Sequence, residues 1–284
     1  MSAAPMHRAD DGDAAAPAPT TRQHAHQAAL AARKAASRLV DAAGESLLQY
    51  TSGFWRAGRV VAQKGPLNAL LHTVTRIDVV GRENLQGVRG PFVVAPNHSS
   101  HLDAAVIHAT MPWQHAGRVA TAAAGDTFYT RRLTRVLTAL FFNTYPVDRS
   151  GNRRKAGLSA RLVDAGVPLL IFPEGTRSRT GEMARFKPGV AALCVTRRIP
   201  CIPVALIGFH EAMPVGQSFV SRGRPHLKVV IGRPLRPRRG ERIREFNERI
   251  QAQVAAMYRA RTPDVVVARG TGTVGRRNGQ EEAS

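Results

Sequence analysis

Along the middle of the chain, apolar residues fall into short β-branched runs separated by stretches with a helical period. The runs are Ile77–Val80, Phe92–Ala95, Arg118–Ala122, Asn143–Val147, Leu169–Phe172, Ile202–Ile207 and Leu227–Ile231. Each is short, and most are rich in the branched and aromatic side chains that suit a pleated, buried surface. Between them, Leu102–Thr110, Phe128–Phe141, Arg153–Ala165 and Val190–Arg198 repeat apolar residues at helical spacing, with breakers such as Gly166 and Pro200 at their ends. A last helix, about Glu241–Ala260, follows the Pro-rich stretch Pro234–Gly240. Strands alternating with helices predict an α/β fold: a mostly parallel or mixed central sheet of about seven strands flanked by helices. In such sheets, ligands collect beyond the carboxyl ends of the strands.

Residues 46–73 follow another pattern. Leu47, Leu48, Phe54, Trp55, Val60, Val61, Leu67, Leu70 and Leu71 recur at roughly helical spacing, with Arg56, Arg59 and Lys64 interspersed and Gly65-Pro66 breaking the run. This predicts an N-terminal element of two short amphipathic helices. An aromatic face flanked by basic residues suits a membrane interface, and it equally suits a helix that caps a core. The organisation expected is therefore a loose tail over 1–40, the amphipathic element over 41–75, one domain over 76–261 and a loose Gly- and Arg-rich tail over 262–284.

Composition narrows the partners. The apolar share of 43% is ample for a core, and the net charge of +21 favours anionic partners: nucleic acid, acidic lipid headgroups or phosphorylated substrates. Nucleic acid is disfavoured, because aromatics make up only 6%, no binding motif is present and the arginines are spread over many segments. Cys194 and Cys201 fit no metal signature and lie in apolar surroundings, which predicts two buried bystanders and no metal site. No run approaches the roughly 18 apolar residues of a spanning helix, and no secretory h-region is visible. Contact with a membrane is therefore expected to be peripheral.

Two segments carry chemistry. Asn97-His98-Ser99-Ser100-His101-Leu102-Asp103 follows the Phe92–Ala95 strand and opens a helix. A general base wants one ring nitrogen free and the other held by a carboxylate, and His98 with Asp103 in the first helical turn can provide that. Ser100 and Asp103 also read as a capping box, with Ser99 or Ser100 as the cap, and His101 competes with His98 for the role of base. Phe172-Pro173-Glu174-Gly175-Thr176-Arg177-Ser178 ends the strand Leu169–Phe172. Gly175 permits a tight turn, the backbone N–H groups can form an anion nest, and Arg177 offers a planar fork suited to phosphate. Glu174 can hold a substrate hydroxyl or brace Arg177. Arg149, at the end of Phe142–Arg149, is a second candidate phosphate ligand. The segment Ile199–Val204 reads as the structural entry to a buried strand.

Taken in order, these four blocks, with Phe186-Lys187-Pro188-Gly189, resemble the motifs of the glycerolipid acyltransferases of the lysophosphatidic acid type, over about residues 75–210. The resemblance implies a membrane-associated O-acyltransferase, peripheral on the cytoplasmic face and in contact with anionic lipid, with no cofactor. It would move a fatty acyl group from acyl-CoA or acyl-carrier protein to the hydroxyl of a lysophospholipid, giving phosphatidic acid. It implies His98 and Asp103 as the catalytic pair, and Arg149, Glu174, Gly175, Thr176 and Arg177 as acceptor-binding residues. One departure stands out: many family members carry a lysine where this chain reads Ala122-Ala123-Ala124-Gly125-Asp126. Another lysolipid or a glycolipid acceptor therefore stays open.

Overall fold

The computed structural model describes residues 47–124, 138–147 and 153–261. Its centre is a seven-stranded sheet of β1 (Arg76–Val80), β2 (Val93–Pro96), β3 (Ala120–Ala124), β4 (Thr144–Val147), β5 (Leu169–Leu170), β6 (Cys201–Ile207) and β7 (His226–Ile231). The spatial order is β1-β7-β6-β2-β5-β3-β4. Every neighbouring pair is parallel except β6 and β7, which run antiparallel. All seven expected strands are present, in a sheet that is mostly parallel and mixed only at this one junction.

The helices, in chain order, are α1 (Leu48–Thr51), α2 (Gly53–Ala62), α3 (Asn68–Val74), α4 (Leu102–Thr110), α5 (Arg153–Asp164), α6 (Gly189–Arg197), α7 (Phe209–Ala212) and α8 (Ile243–Arg261). Residues 138–142 are helical, at the end of the expected Phe128–Phe141 helix, whose earlier part lies outside the described residues. Both expected tails also lie outside them.

Side chains alternate between two cores. Along β6, Ile202, Val204 and Leu206 join one apolar cluster with Val94, Leu102, Val106, Leu227 and Val229. Cys201, Ala205 and Ile207 join the other, with Val93, Leu162, Leu169 and Phe246. Period-2 alternation into two buried layers explains why these strands read as continuous apolar runs. From α8, Phe246, Ile250 and Val254 recur every fourth residue and are fully buried. Each contributes about 1.5–3 kcal/mol of burial. Cys194 and Cys201 are both free and buried in this second layer, and burial pushes the Cys201 thiol well up, as expected of inert thiols.

The N-terminal helices correct one expectation. Gly65-Pro66 does not break the run: a wide π turn, Gln63–Leu67, carries the chain from α2 into α3 with Pro66 inside it. Proline lacks an N–H and crowds the preceding turn, and widening the turn at that point tolerates both.

Candidate active site

β2 and β5 are parallel neighbours, with Val93 opposite Leu169 and Val94 opposite Leu170. The segments leaving their carboxyl ends therefore emerge side by side. After β2, the buried Asn97 side chain pairs with the backbone of Leu206. Its Nδ2 donates to the carbonyl at 3.0 Å, and its Oδ1 accepts the N–H at 2.7 Å. This amide extends the β2–β6 ladder past the end of β2 and fixes the point at which His98 departs.

His98 Nδ1 lies 2.7 Å from Asp103 Oδ2. The same oxygen accepts the N–H groups of Ser99 at 2.7 Å and Ser100 at 2.9 Å, and Asp103 is fully buried in the first turn of α4. Backbone donors stabilise the ionised carboxylate, which in turn favours the tautomer with its proton on Nδ1 and leaves Nε2 to accept. The imidazole stacks on Phe172, with ring centroids 3.8 Å apart and planes 22° apart. Tautomer and ring plane are thus both fixed, while the side chain keeps 18% of its surface exposed.

Only one arm of the expected capping box forms. Asp103 reaches back to the Ser100 N–H, but Ser100 Oγ donates to Met213 O at 2.8 Å and accepts the Leu102 N–H at 3.2 Å. The residue flanking the helix start is His101, whose side chain makes no cap bond, rather than Ser99 or Ser100. Asp103 therefore serves the helix start and His98 through one and the same oxygen.

After β5, the chain turns at Gly175, whose φ is +76°. A Cβ at this position would lie 2.7 Å from Lys187 Nζ and 3.0 Å from its Cε, which the flexible lysine could yield, so it is the backbone conformation that requires glycine. Glu174 differs from the expectation that it meets substrate or braces Arg177. It is buried, its Oε1 accepts the His98 N–H at 2.7 Å and its Oε2 accepts the Ala184 N–H at 2.9 Å. Burial foremost, with the nearby Asp103 adding to it, pushes the Glu174 carboxyl up to about 7 against the pull of these two donors. Thr176 is exposed on the turn and Arg177 is half-buried. The Arg177 guanidinium donates to Nε2 of His101, and the Ser178 N–H donates to the His98 carbonyl at 2.8 Å.

The loop closes on itself through Lys187 N–H to Pro173 O at 2.8 Å, and α8 holds its exit. Asn247 Nδ2 donates to Phe186 O at 2.9 Å, and Gln251 Oε1 accepts the Phe186 N–H at 3.1 Å.

The structure thus gathers His98, Asp103, Glu174, Gly175, Thr176 and Arg177 at one rim of the sheet. Arg149 lies outside the described residues, as do Gly125 and Asp126. Ala122 and Ala123 sit within β3, opposite Tyr145 and Pro146. Sequence reasoning did not single out three contributors: the Asn97 brace, the Phe172 stack and Lys187 over the turn. The signal for Lys187 was the Phe186–Gly189 block, but only loop closure brings it to Gly175. Among the described residues, no group of three or more His, Cys, Asp or Glu side chains is placed to hold a metal ion.

The amphipathic element is turned the other way from its expected charge distribution. Arg59 is buried, donating from Nε to Gly117 O at 2.7 Å and from Nη1 to Gln49 O at 2.8 Å. Lys64 Nζ donates to Ala109 O at 2.7 Å and to Met111 O, at the carboxyl end of α4. Gln63, fully buried, bonds Phe141 O, His108 and the Gly117 N–H. Arg59 and Lys64 therefore do not flank an outward apolar face. Phe54 (82% exposed), Val61 (70%), Leu70 (60%) and Trp113 (69%) point to solvent. No helix among the described residues is long and apolar enough to cross a membrane.

Comparison with known proteins gives a consistent picture. The model of the Acyltransferase family matches residues 76–207. A 1-acyl-sn-glycerol-3-phosphate acyltransferase of Chlamydomonas reinhardtii is 29% identical over 164 residues, covering 57% of this chain and 47% of its own. A putative 1-acyl-sn-glycerol-3-phosphate acyltransferase of Caenorhabditis elegans is 29% identical over 188 residues, covering 64% of each chain. The match thus spans about half to two thirds of these relatives' length. Among solved structures, the 1-acyl-sn-glycerophosphate (LPA) acyltransferase of Thermotoga maritima superposes with a TM-score of 0.59, at 21% identity, over 71% of this chain and 79% of its own, and so shares the fold.

Proposed function

We propose that the chain, which matches the model of the Acyltransferase family over residues 76–207 and is 29% identical to proteins named 1-acyl-sn-glycerol-3-phosphate acyltransferase, is a glycerolipid acyltransferase of the lysophosphatidic acid type and acylates a lysophospholipid. The acceptor is of the 1-acylglycerol-3-phosphate type, the product is phosphatidic acid, and the donor is a thioester, acyl-CoA or acyl-carrier protein. The observation that carries this reading is the His98–Asp103 pair, 2.7 Å apart, on the same rim as Arg177.

The chemistry follows from the geometry. His98 Nε2 takes the proton of the acceptor hydroxyl as its oxygen attacks the thioester carbonyl. The new C–O bond forms, the C–S bond breaks, and the departing thiolate recovers the proton from the imidazolium. Asp103 stabilises that imidazolium across the Nδ1 hydrogen bond. A thioester is activated enough that no serine nucleophile is needed. Arg177 grips the acceptor phosphate, with Lys187 above Gly175 as a further cation and Arg149 as a third candidate. Thr176 offers a turn N–H and a hydroxyl, while the Gly175 N–H closes the turn on the Phe172 carbonyl at 3.1 Å. Glu174 acts from behind, holding the His98 and Ala184 backbone in place. The exposed apolar side chains of α2 and α3, with Trp113, support peripheral contact with a membrane, and the cytoplasmic face is the side that the family resemblance implies. A second reading keeps the chemistry on another lysolipid or a glycolipid, because Ala122–Asp126 stands where the family resemblance leads one to expect a lysine.

The test is an acceptor screen with the purified full chain and one labelled acyl-CoA in mixed micelles, run beside His98→Ala. The greatest turnover is expected with 1-acylglycerol-3-phosphate. The variant should lose about 10²–10⁴-fold in rate with an unchanged circular dichroism spectrum. Near-normal turnover by His98→Ala would overturn the base assignment. Full activity on a phosphate-free acceptor would favour the second reading.

A further inference from the structure

The catalytic rim uses the carboxyl ends of β2 and β5. At the other end of the sheet a second cleft opens, of about 310 Å³. Tyr50, Thr51 and Gly53, at the junction of α1 and α2, line one side, and 165–168, which lead from α5 into β5, line another. Arg56, on α2, and Arg118, just ahead of β3, complete it, and none of its described lining residues is acidic.

Close backbone packing brings the two arginines together. Gly117 has a φ of +68°, and a Cβ there would lie 2.7 Å from the carbonyl oxygen of Arg56, so the turn before β3 rests directly on α2. Arg59 bonds the carbonyls of Gln49 and Gly117, the neighbours of Tyr50 and Arg118, and so ties the two sides of the cleft to each other. Both arginines act on His115: burial foremost, opposed by the bond to Leu85 O, and then the charges of Arg118 and Arg56 hold its imidazole below the ordinary value. Among the described residues, the Arg56 and Arg118 side chains make no ion pair or hydrogen bond. Asp164, beside the cleft in sequence, is engaged by Arg197. At the end of α5 the carbonyls of Arg161, Leu162 and Val163 are taken by the N–H groups of Ala165, Val167 and Gly166. Two like charges are thus held side by side without an anion of the protein between them, an arrangement that an anionic ligand stabilises.

Phosphate suits two guanidinium forks, each able to bond a pair of its oxygens. The start of α2 adds to them, since the Ser52 side chain makes no cap bond there. What surrounds the cleft points to the source of the phosphate. Leu48, Phe54 and Trp55, interleaved in sequence with the lining residues Thr51 and Gly53, are exposed. A free phosphate gains nothing from such neighbours, whereas a lipid brings its apolar part to them as its headgroup enters. We propose that this cleft, through Arg56 and Arg118, binds the headgroup phosphate of an anionic membrane lipid. It is separate from the rim where acyl transfer is placed. It rests on the reading that the N-terminal helices meet a membrane, and it gives that contact a preference for anionic lipid at a defined point.

The experiment is flotation of the full chain with two kinds of vesicle, phosphatidylcholine alone and an equimolar mixture of phosphatidylcholine and phosphatidylglycerol. Wild type is compared with Arg56→Gln/Arg118→Gln and with Arg236→Gln/Arg239→Gln, which removes the same charge from two exposed arginines outside the cleft. The cleft variant should bind the mixed vesicles about tenfold more weakly and the neutral ones within about twofold of wild type. The control should lose no more than about threefold on the mixed vesicles, the share of general surface charge. Arg118→Gln alone, which leaves α2 untouched, should lose about threefold in the same selective sense, and it keeps the test decisive if the double variant does not fold. Equal losses in the two double variants would overturn the cleft in favour of diffuse attraction. Release of wild type from the mixed vesicles by inorganic phosphate at constant ionic strength would overturn the lipid assignment and give the cleft to free phosphate. If wild type floats with neither vesicle, the membrane reading fails and the proposal with it. If wild type floats and the cleft variants match it on both vesicles, the cleft alone fails and membrane contact stands.

Discussion

The rim of the sheet and the N-terminal helices each bury an ionisable side chain, and they solvate it in opposite ways. At the rim, the Asp103 carboxylate is fully buried and one of its oxygens collects two backbone N–H groups and the His98 ring. Under α2, the Arg59 guanidinium is 2% exposed and donates to the carbonyls of Gly117 and Gln49. Burial holds Arg59 down at about 10, still well above neutrality, so it stays a cation. An anion needs converging N–H groups, which the start of a helix provides. A cation needs converging C=O groups, which strand entries and helix ends provide. The two regions differ in consequence. At the rim, the buried charge holds one ring nitrogen of His98 and leaves the side chain 18% exposed. In the helical element, Arg59, Gln63 and Lys64 are turned inward, and apolar side chains such as Phe54, Val61 and Leu70 are left outside.

The largest effect that would break this comparison is loss of the inward cation. Arg59→Ala orphans the Gly117 and Gln49 carbonyls and opens a void beneath α2, which should cost about 3 kcal/mol in urea denaturation. Little change would mean that water solvates these carbonyls as well as the guanidinium does.

Next comes the outward face. Replacing Phe54 and Leu70 together by serine removes two exposed apolar groups. It should weaken vesicle binding roughly tenfold or more and leave activity in detergent micelles near normal. Vesicle flotation checks it. Unchanged flotation would mean that these side chains serve another contact.

The smallest effect is a pH signature that separates the regions. Glu174, at the rim, rises on folding from 4.5 to about 7. A raised carboxyl gives stability that is complete below 4.5 and lost as pH climbs to about 7. His108, fully buried between Gln63 and Thr121 under the helices, is depressed from 6.5 to about 3. Its contribution is complete above 6.5 and lost as pH falls towards 3. The stability difference between wild type and Glu174→Gln should therefore drift against wild type from pH 5 to pH 7.5, and that between wild type and His108→Gln should drift in its favour over the same range. Chemical denaturation at the two pH values reads both. Parallel slopes would show that neither group carries the linkage assigned to it.

Much of the architecture was legible along the chain. Seven apolar runs became seven strands: a central strand such as β6 is buried on both faces and so must be apolar at nearly every position, whereas the edge strand β1 has no buried residue. The proximity of His98 to Asp103 was also local, since five residues across a helix start can close only one way. The role of Glu174 was not legible. A carboxylate beside an arginine in sequence suggests a pair, yet its partners are the backbone N–H groups of His98 and Ala184, brought to it by the β2–β5 pairing and by closure of its own loop. The facing of the helical element was equally hidden. Periodicity marks an apolar stripe and a polar stripe, but which one turns inward depends on what waits underneath. Here the carbonyls of Gly117, Ala109 and Met111 face the element. The sequence by itself determined the sheet, its helices and the pairing of His98 with Asp103, because those rest on burial and on contacts within one turn. Only the tertiary structure decided which groups brace the site, where Lys187 and His101 stand, and which side of the first helices meets solvent, because each depends on backbone atoms distant in the chain.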